Sequence, residues 1–269
     1  KTRGIIASFN SDHFDDFFNF ARIGDASIGG KGRGLAFIDS LIKRNRLYEK
    51  WDEIAVAIPR TVVLGIDIFD EFIDSNNLLK YAIHEKNDHN ILKMFVKAPL
   101  SEKIRKDLWA FIEVINKPIA IRSSSMLEDS HYQPFAGVYS TYMIAYTDKK
   151  KKMLTELEIA IKSVYASVYF KNSKQYMQAT SNVIDEEKMA VVLQELCGSQ
   201  YGTRFYPTLS GVARSINYYP IAPEKPSDGI VNLAFGLGKY VAEGGQTLRF
   251  SPAYPEKILQ LSTPEMALK

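Results

Sequence analysis

The chain predicts an α+β protein of two lobes, and three observations carry that expectation. Its 269 residues give room for two ordinary domains. Helical apolar spacing alternates with short buried runs up to about residue 182, and the remainder is richer in strand-like runs broken by Gly and Pro. We therefore expect one lobe over residues 1–182 and a second, strand-rich lobe over 183–269. Hydrophobic residues make up 46% and charged residues 24% of the chain, which excludes a disordered, collagenous or coiled-coil composition. The 34 Lys+Arg against 31 Asp+Glu leave a net charge of +3, too small an excess for a nucleic-acid reader, and no nucleic-acid partner is expected. No apolar run reaches the ~18–20 residues of a membrane span. Asp12, Asp15 and Asp16 cut short the apolar start, so neither a membrane partner nor a secretory signal is expected, and the compartment reads as cytoplasmic. The single cysteine, Cys197, rules out an internal disulfide framework and, following apolar neighbours, reads as a buried small hydrophobe. The ends of the sequence read as those of a piece of a longer chain.

The elements follow from periodicity. Leu35, Ile38, Leu41 and Ile42 recur at helical spacing, with Lys43, Arg44 and Arg46 where cations suit a helix C-terminus. Residues 54–58 and 61–64 read as short buried strands around Pro59. Helices are expected over 67–73 and 100–115, then a buried strand over 117–121. The run of lysines at 149–152 reads as the solvated start of a long amphipathic helix whose core face is Leu154, Leu157, Ile161, Val164, Tyr165 and Val168. On that helix Tyr165, Tyr169 and Phe170 read as packing residues. Strands are expected over 189–196, 211–219 and 229–233.

Three glycine-bearing stretches could carry chemistry. In Gly29-Gly30-Lys31-Gly32, just before the first helix, glycines permit close backbone approach to an anion, and Lys31 adds a mobile charge. The spacing is neither that of a Walker A loop nor that of a dinucleotide fold, and by itself it fits a ligand-free helix entry equally well. In Ile121-Arg122-Ser123-Ser124-Ser125, an arginine at the end of a buried strand can grip two phosphate oxygens, and the serines offer hydroxyls or helix caps. The competing reading pairs Arg122 with Glu128 or Asp129. Phe135-Ala136-Gly137 follows as a close-packed turn. The third stretch is Gly236-Leu237-Gly238-Lys239, continuing to Glu243. Between the second and third lie Gln194-Glu195 at a strand end and Ser210-Gly211-Val212-Ala213 at a strand start.

Taken in order, Gly-Gly-Lys-Gly, Arg-Ser-Ser, Phe-Ala-Gly, Gln-Glu, Ser-Gly-Val-Ala and Gly-Leu-Gly resemble the N-terminal ATP-binding domain of the phosphoenolpyruvate synthase and pyruvate phosphate dikinase family. Ile58-Pro59-Arg60-Thr61 resembles that family's proline-bearing strand, and the likeness spans about residues 20–250. The resemblance implies an ATP-grasp fold, two α+β lobes with mixed or antiparallel sheets enclosing ATP. It implies a phosphotransferase that passes phosphate from ATP to a histidine on a separate domain and then to pyruvate. It makes Lys31 and Arg122 the catalytic phosphate contacts. Ser123, Ala136, Gly137, Gln194, Glu195 and Lys239 become further nucleotide contacts. The partners it implies are ATP and the phosphohistidine and pyruvate-binding domains of the same longer chain, and it leaves room for a homodimer.

One departure bears on the metal. The family follows Gly-Leu-Gly with a metal-binding Glu, and this chain has Lys239, which cannot ligate Mg²⁺. Either Glu243 substitutes for that carboxylate, or Lys239 itself neutralises phosphate. The same departure supports an alternative, a non-catalytic nucleotide-binding or protein-interaction module derived from the family. His13, His84, His89 and His131 lack the context of the family's phosphorylated histidine, so that group is expected on another domain.

Overall fold

The computed structural model describes residues 7–9, 19–125, 139–179, 187–242, 244–258 and 261. The chain divides into two units, Lys1–Leu196 and Cys197–Lys269. The division falls later than the expected 182/183 because the strand Met189–Glu195 is hydrogen-bonded into the middle of the first unit's sheet.

The first unit is built on a six-stranded sheet. Its strands are β1 (Ala7–Ser8), β2 (Phe20–Ile23), β3 (Thr61–Leu64), β4 (Ile119–Ser125), β5 (Thr141–Ile144) and β6 (Met189–Glu195), in the order β1-β2-β3-β6-β4-β5. β1, β2 and β3 run parallel, and β6 inserts antiparallel between β3 and β4. A strand paired on both sides and covered on both faces needs continuous apolar character. Val62, Val63, Leu64, Val191 and Leu193 supply it, each with no exposed surface. The expected strand over 54–58 is absent. These residues pair with no neighbour, Ile54 is 60% exposed, and the ladder begins at Thr61.

Alternation gives the two sheet faces different coverings. Ala21, Ile23, Val62, Leu64, Ile119, Ile121, Val191 and Leu193 meet the larger core. That core is completed by α2 (Ile66–Ser75), α4 (Asp88–Lys97), α5 (Glu102–Val114) and α6 (Lys150–Ser167). Of the apolar face expected for α6, Leu157, Ile161, Val164, Tyr165 and Val168 are fully buried, while Leu154 is half-buried and its neighbour Met153 is buried instead. Phe20, Val63, Ala190 and Val192 face α1 (Gly29–Arg44) and pack with Ile28 and Ile42. Ile38, expected in that seam, is 45% exposed, because the helix meets the sheet through its start and through Ile42.

Lysines on α6 and on α7 (Lys171–Ala179) tie down the C-termini of three shorter helices, whose last carbonyls lack helical partners. Lys150 donates to Ile112 O and Ile115 O at the end of α5, at 3.1 and 2.6 Å. Lys162 donates to Val96 O and Ala98 O at the end of α4, at 2.7 and 3.2 Å. Lys174 donates to Ala82 O and Glu85 O at the end of α3 (Leu79–His84), both at 2.6 Å. Burial lowers the affinity of Lys162 and Lys174 for their protons. The carbonyl contacts make all three lysines structural caps, and none of the three is spare for a ligand.

Tyr165 stands at the centre of the larger core, against Phe69 (5.1 Å between ring centroids) and Phe72 (5.6 Å). Its hydroxyl is buried without a hydrogen-bond partner, and that burial pushes its ionisation upward. An unmet buried hydroxyl costs about 1–3 kcal/mol, so Tyr165→Phe is expected to leave stability equal or higher at pH 7. The sign with pH follows from linkage. The folded phenol stays neutral while the unfolded one ionises above about pH 10. The group's contribution is thus intact below pH 10 and falls by about 1.4 kcal/mol per pH unit above it. Urea unfolding at pH 10 to 11 checks this: the gap between Tyr165→Phe and the parent should widen with pH in favour of the variant.

The second unit carries a hairpin, β7 (Ser199–Tyr201) with β8 (Arg204–Tyr206), in which Tyr201 and Tyr206 stack at 4.5 Å. It also carries an antiparallel sheet in the order β11-β10-β9, from β9 (Leu209–Arg214), β10 (Ile230–Phe235) and β11 (Leu248–Phe250). The expected strand over 211–219 stops at Arg214, where the chain leaves the ladder. Buried Asn217 holds that excursion, donating to Glu224 Oε2 and accepting from Arg249. Cys197, expected to be buried, is a free, exposed thiol just past the end of β6, beyond the reach of the sheet's packing. Among the described residues no helix is long and apolar enough to cross a membrane.

Candidate functional site

The glycine stretch expected ahead of the first helix forms the helix's own first turns. α1 begins at Gly29, with Gly29 in the left-handed region at φ +67°. Four glycines in six residues oppose a helix by propensity, and contact with β4 overrides that preference. A Cβ at Gly29 would lie 1.7 Å from the Ser124 carbonyl oxygen and 2.6 Å from its Oγ. Only glycine lets the helix start rest on the strand.

Ser124 fastens that contact. Its hydroxyl accepts the Gly32 N–H at 3.0 Å and donates to the Ile28 carbonyl at 2.8 Å, both bonds buried. The hydroxyl thus stands between the two backbone groups that would close the first helical turn. α1 has no capping side chain of its own at Ile28, and a strand residue far along the chain does that work. Ser124→Ala removes a buried bridge and should cost about 1–3 kcal/mol, read as a lower urea midpoint with an unchanged slope.

Register places the remaining residues. Arg22, Val63, Val192 and Arg122 lie in one row across β2, β3, β6 and β4. All four face α1, so the two arginines flank its apolar seam, about 14 Å apart by strand spacing. Arg122 is half-buried. Arg22 donates from Nη1 to the Asp25 carbonyl at 3.1 Å, while its Nε–H is buried without a partner. One row further along, Gln194 shares this face and donates to Thr61 Oγ1 at 2.9 Å.

The loop between β2 and α1 is held from below. Asp67, in the first turn of α2, accepts the Asp25 N–H at 2.8 Å. Its other oxygen is buried and unmatched, 2.5 Å from where a Cβ would sit on Gly24 and 2.4 Å from that of Gly65. The Gly30 N–H, in the first turn of α1, has no acceptor among the described residues.

The structure places Lys31 in the first turn of α1, and Arg122 and Gln194 on the sheet face that α1 covers, with Gln194 paired to Ala120, away from the Ser124 that meets the helix start. Ser123 and Glu195 lie on the opposite face, as alternation with Ile121 and Leu193 requires. Ser123 is buried there, and Ser124 is the serine that reaches α1. Lys239 opens α8 (Lys239–Ala242) in the second unit. Ala136, Gly137 and Glu243, with Phe135, Glu128, Asp129, His13 and His131, lie outside the described residues. Sequence reasoning missed Arg22, which sits on a strand of four residues, and gave Ser124 no role apart from its neighbours. The phase set by Ile119 and Ile121 would have singled Ser124 out.

What this arrangement offers is a set of donors at one helix start: an open N–H, Lys31 in the first turn, and Arg122 on the rigid strand beneath. Such a set suits phosphate oxygens. Magnesium is a different matter. Among the described residues no group of three or more His, Cys, Asp or Glu could hold a metal. The described residues do not fit Mg²⁺.

Residues 25–256 match the family model described as pyruvate phosphate dikinase, AMP/ATP-binding domain. The chain is 26% identical over 241 residues to the phosphoenolpyruvate synthase of Aeropyrum pernix, covering 82% of this chain and 26% of that protein. It is 25% identical over 190 residues to the uncharacterized phosphotransferase YvkC of Bacillus subtilis, covering 68% of this chain and 21% of that protein. The chain thus spans about a quarter or less of each relative's length. The start of α1 and Arg122 fall within the matched span, β1 and β2 precede it, and the chain belongs to the family of pyruvate phosphate dikinase AMP/ATP-binding domains.

Proposed function

We propose that this chain is the ATP-binding part of a phosphoenolpyruvate synthase-like phosphotransferase. In this reading it loads phosphate from ATP onto a histidine of a separate domain, which then passes it to pyruvate. The observation that carries the reading is the junction of α1 with β4, where Gly29 and Ser124 fix a helix start beside Arg122. Phosphoryl transfer asks a protein mainly for positioning and charge neutralisation. Arg122 grips two phosphate oxygens from a rigid strand, and Lys31 follows the transferred group as a mobile charge. The Gly30 N–H is a further donor at the same helix start. Gln194 lies one row away on the same face and contacts the nucleoside side. In this reading the chain takes an ATP-grasp fold, and Ala136 and Gly137, outside the described residues, are further nucleotide contacts.

A non-catalytic module is the second reading, favoured by Lys239 in place of the family's carboxylate. Product analysis separates the two. With ATP and pyruvate, the protein carrying this chain together with its phosphohistidine and pyruvate-binding domains should yield AMP, phosphoenolpyruvate and phosphate in equal amounts. ATP binding with neither AMP release nor phosphohistidine would establish the second reading.

A further inference from the structure

Thr61 and Gln194 stand opposite each other where β3 pairs with β6, and their side chains form a relay of two hydrogen bonds. Thr61 is 1% exposed. Its hydroxyl donates to the Pro59 carbonyl at 2.8 Å and accepts from Gln194 Nε2 at 2.9 Å. A threonine hydroxyl has one proton to give. With that proton committed to Pro59, only lone pairs face Gln194. The nitrogen end of the carboxamide must therefore turn toward Thr61, and the oxygen end away from it.

That oxygen is left open. Gln194 is half-buried, and its Oε1 has no partner among the described residues. The neighbouring strands supply none. Ala120 of β4 pairs with Gln194, and Met143 of β5 pairs with Ala120, so all three share one sheet face. Ala120 is buried and Met143 is 64% exposed, which sets an apolar shelf beside an amide oxygen held in one direction. A flat ring on such a shelf meets the oxygen with its edge, and an acceptor there selects an edge that donates. The exocyclic amino group of adenine donates, where the carbonyl that replaces it in guanine or hypoxanthine only accepts.

We infer that Thr61 is a specificity-determining residue of the nucleotide site. It acts through Gln194 and not on the ligand itself. By fixing which end of the amide faces outward, it sets a preference for a base that carries an amino group. The inference rests on the nucleotide-binding reading, in which Gln194 lies on the nucleoside side, and adds to it a positioning residue in the adjacent strand. Without the Thr61 hydroxyl the amide can turn over, and a base bearing a carbonyl then finds the donor it needs.

The test is the ratio of affinities for ATP and for ITP, which carries an oxygen in place of the amino group, measured calorimetrically on the chain. A site arranged around one required hydrogen bond rejects an analogue that lacks it, so the parent should favour ATP at least about tenfold. Thr61→Val keeps the branched shape that suits a buried strand and removes the hydroxyl. Its ratio should fall to about threefold or less, with ITP gaining affinity as ATP loses it. Thr61→Ser returns the hydroxyl and should return the preference. An unchanged ratio in Thr61→Val, or equal weakening of both nucleotides, would overturn the inference, since a residue that only supports the fold does not choose between bases. A parent that binds ATP and ITP alike would overturn it as well, while leaving the nucleotide reading in place. A parent that binds neither would remove that reading and the inference with it.

Discussion

Arg122→Ala is expected to lose ATP binding by roughly 10- to 150-fold, the equivalent of the about 1.5–3 kcal/mol that a charge-assisted hydrogen bond contributes. The fold should survive the change. Arg122 is half-buried and flanked in its strand by buried Ile121 and Ser123, so the ladder to Val192 and Thr141 does not depend on its side chain. Arg122→Lys keeps the charge but gives up the planar two-pronged grip, and should recover only part of the affinity. Calorimetric titration of the three proteins checks this, with thermal unfolding as the control for folding. An Arg122→Ala protein that binds ATP as the parent does would remove Arg122 from the site.

Gly29→Ala is expected to have the largest effect on stability. An alanine there adopts an unfavourable left-handed conformation and drives its Cβ into the Ser124 backbone at 1.7 Å. Strain of about 1–2 kcal/mol and an overpacking cost of about 1–3 kcal/mol combine to about 3 kcal/mol or more. For a domain of this size that lowers the melting temperature by about 6–12 °C. Gly34, five residues along the same helix, is the control. A Cβ there meets nothing within 4 Å, so Gly34→Ala should stabilise by about 0.5–1 kcal/mol through propensity alone. Opposite signs at two glycines of one motif would locate the requirement in the contact with β4 and not in glycine content. Equal effects would contradict the packing account.

The sequence made much of this fold legible, and the reasons are physical. α6 repeats its apolar face over five turns, so its core residues could be named one by one, as could the buried strands at 61–64 and 189–195. The start of α1 was hidden because glycine's poor propensity speaks against a helix, while the reason for those glycines is a strand nearly a hundred residues away. Local pattern cannot carry that information. The short helices α3 and α4 were hidden for a related cause, since lysines of α6 and α7 complete their ends. In the site, residue types pointed to Lys31 and Arg122, and alternation along β4 decides which serine stands beside them. Ser123 follows Ile121 into the apolar core, while Ser124 follows Arg122 toward α1. Cys197 misled because its apolar neighbours belong to a strand that ends before it.

Hydrogen exchange of the chain with and without saturating ATP, resolved by mass spectrometry, tests the central claim most directly. If the α1–β4 junction receives the phosphates, ATP should slow exchange in peptides spanning Gly29 to Gly32 and in those spanning Arg122 to Ser125, together. ATP that binds while both segments exchange at their ligand-free rates would place the nucleotide elsewhere and contradict the account.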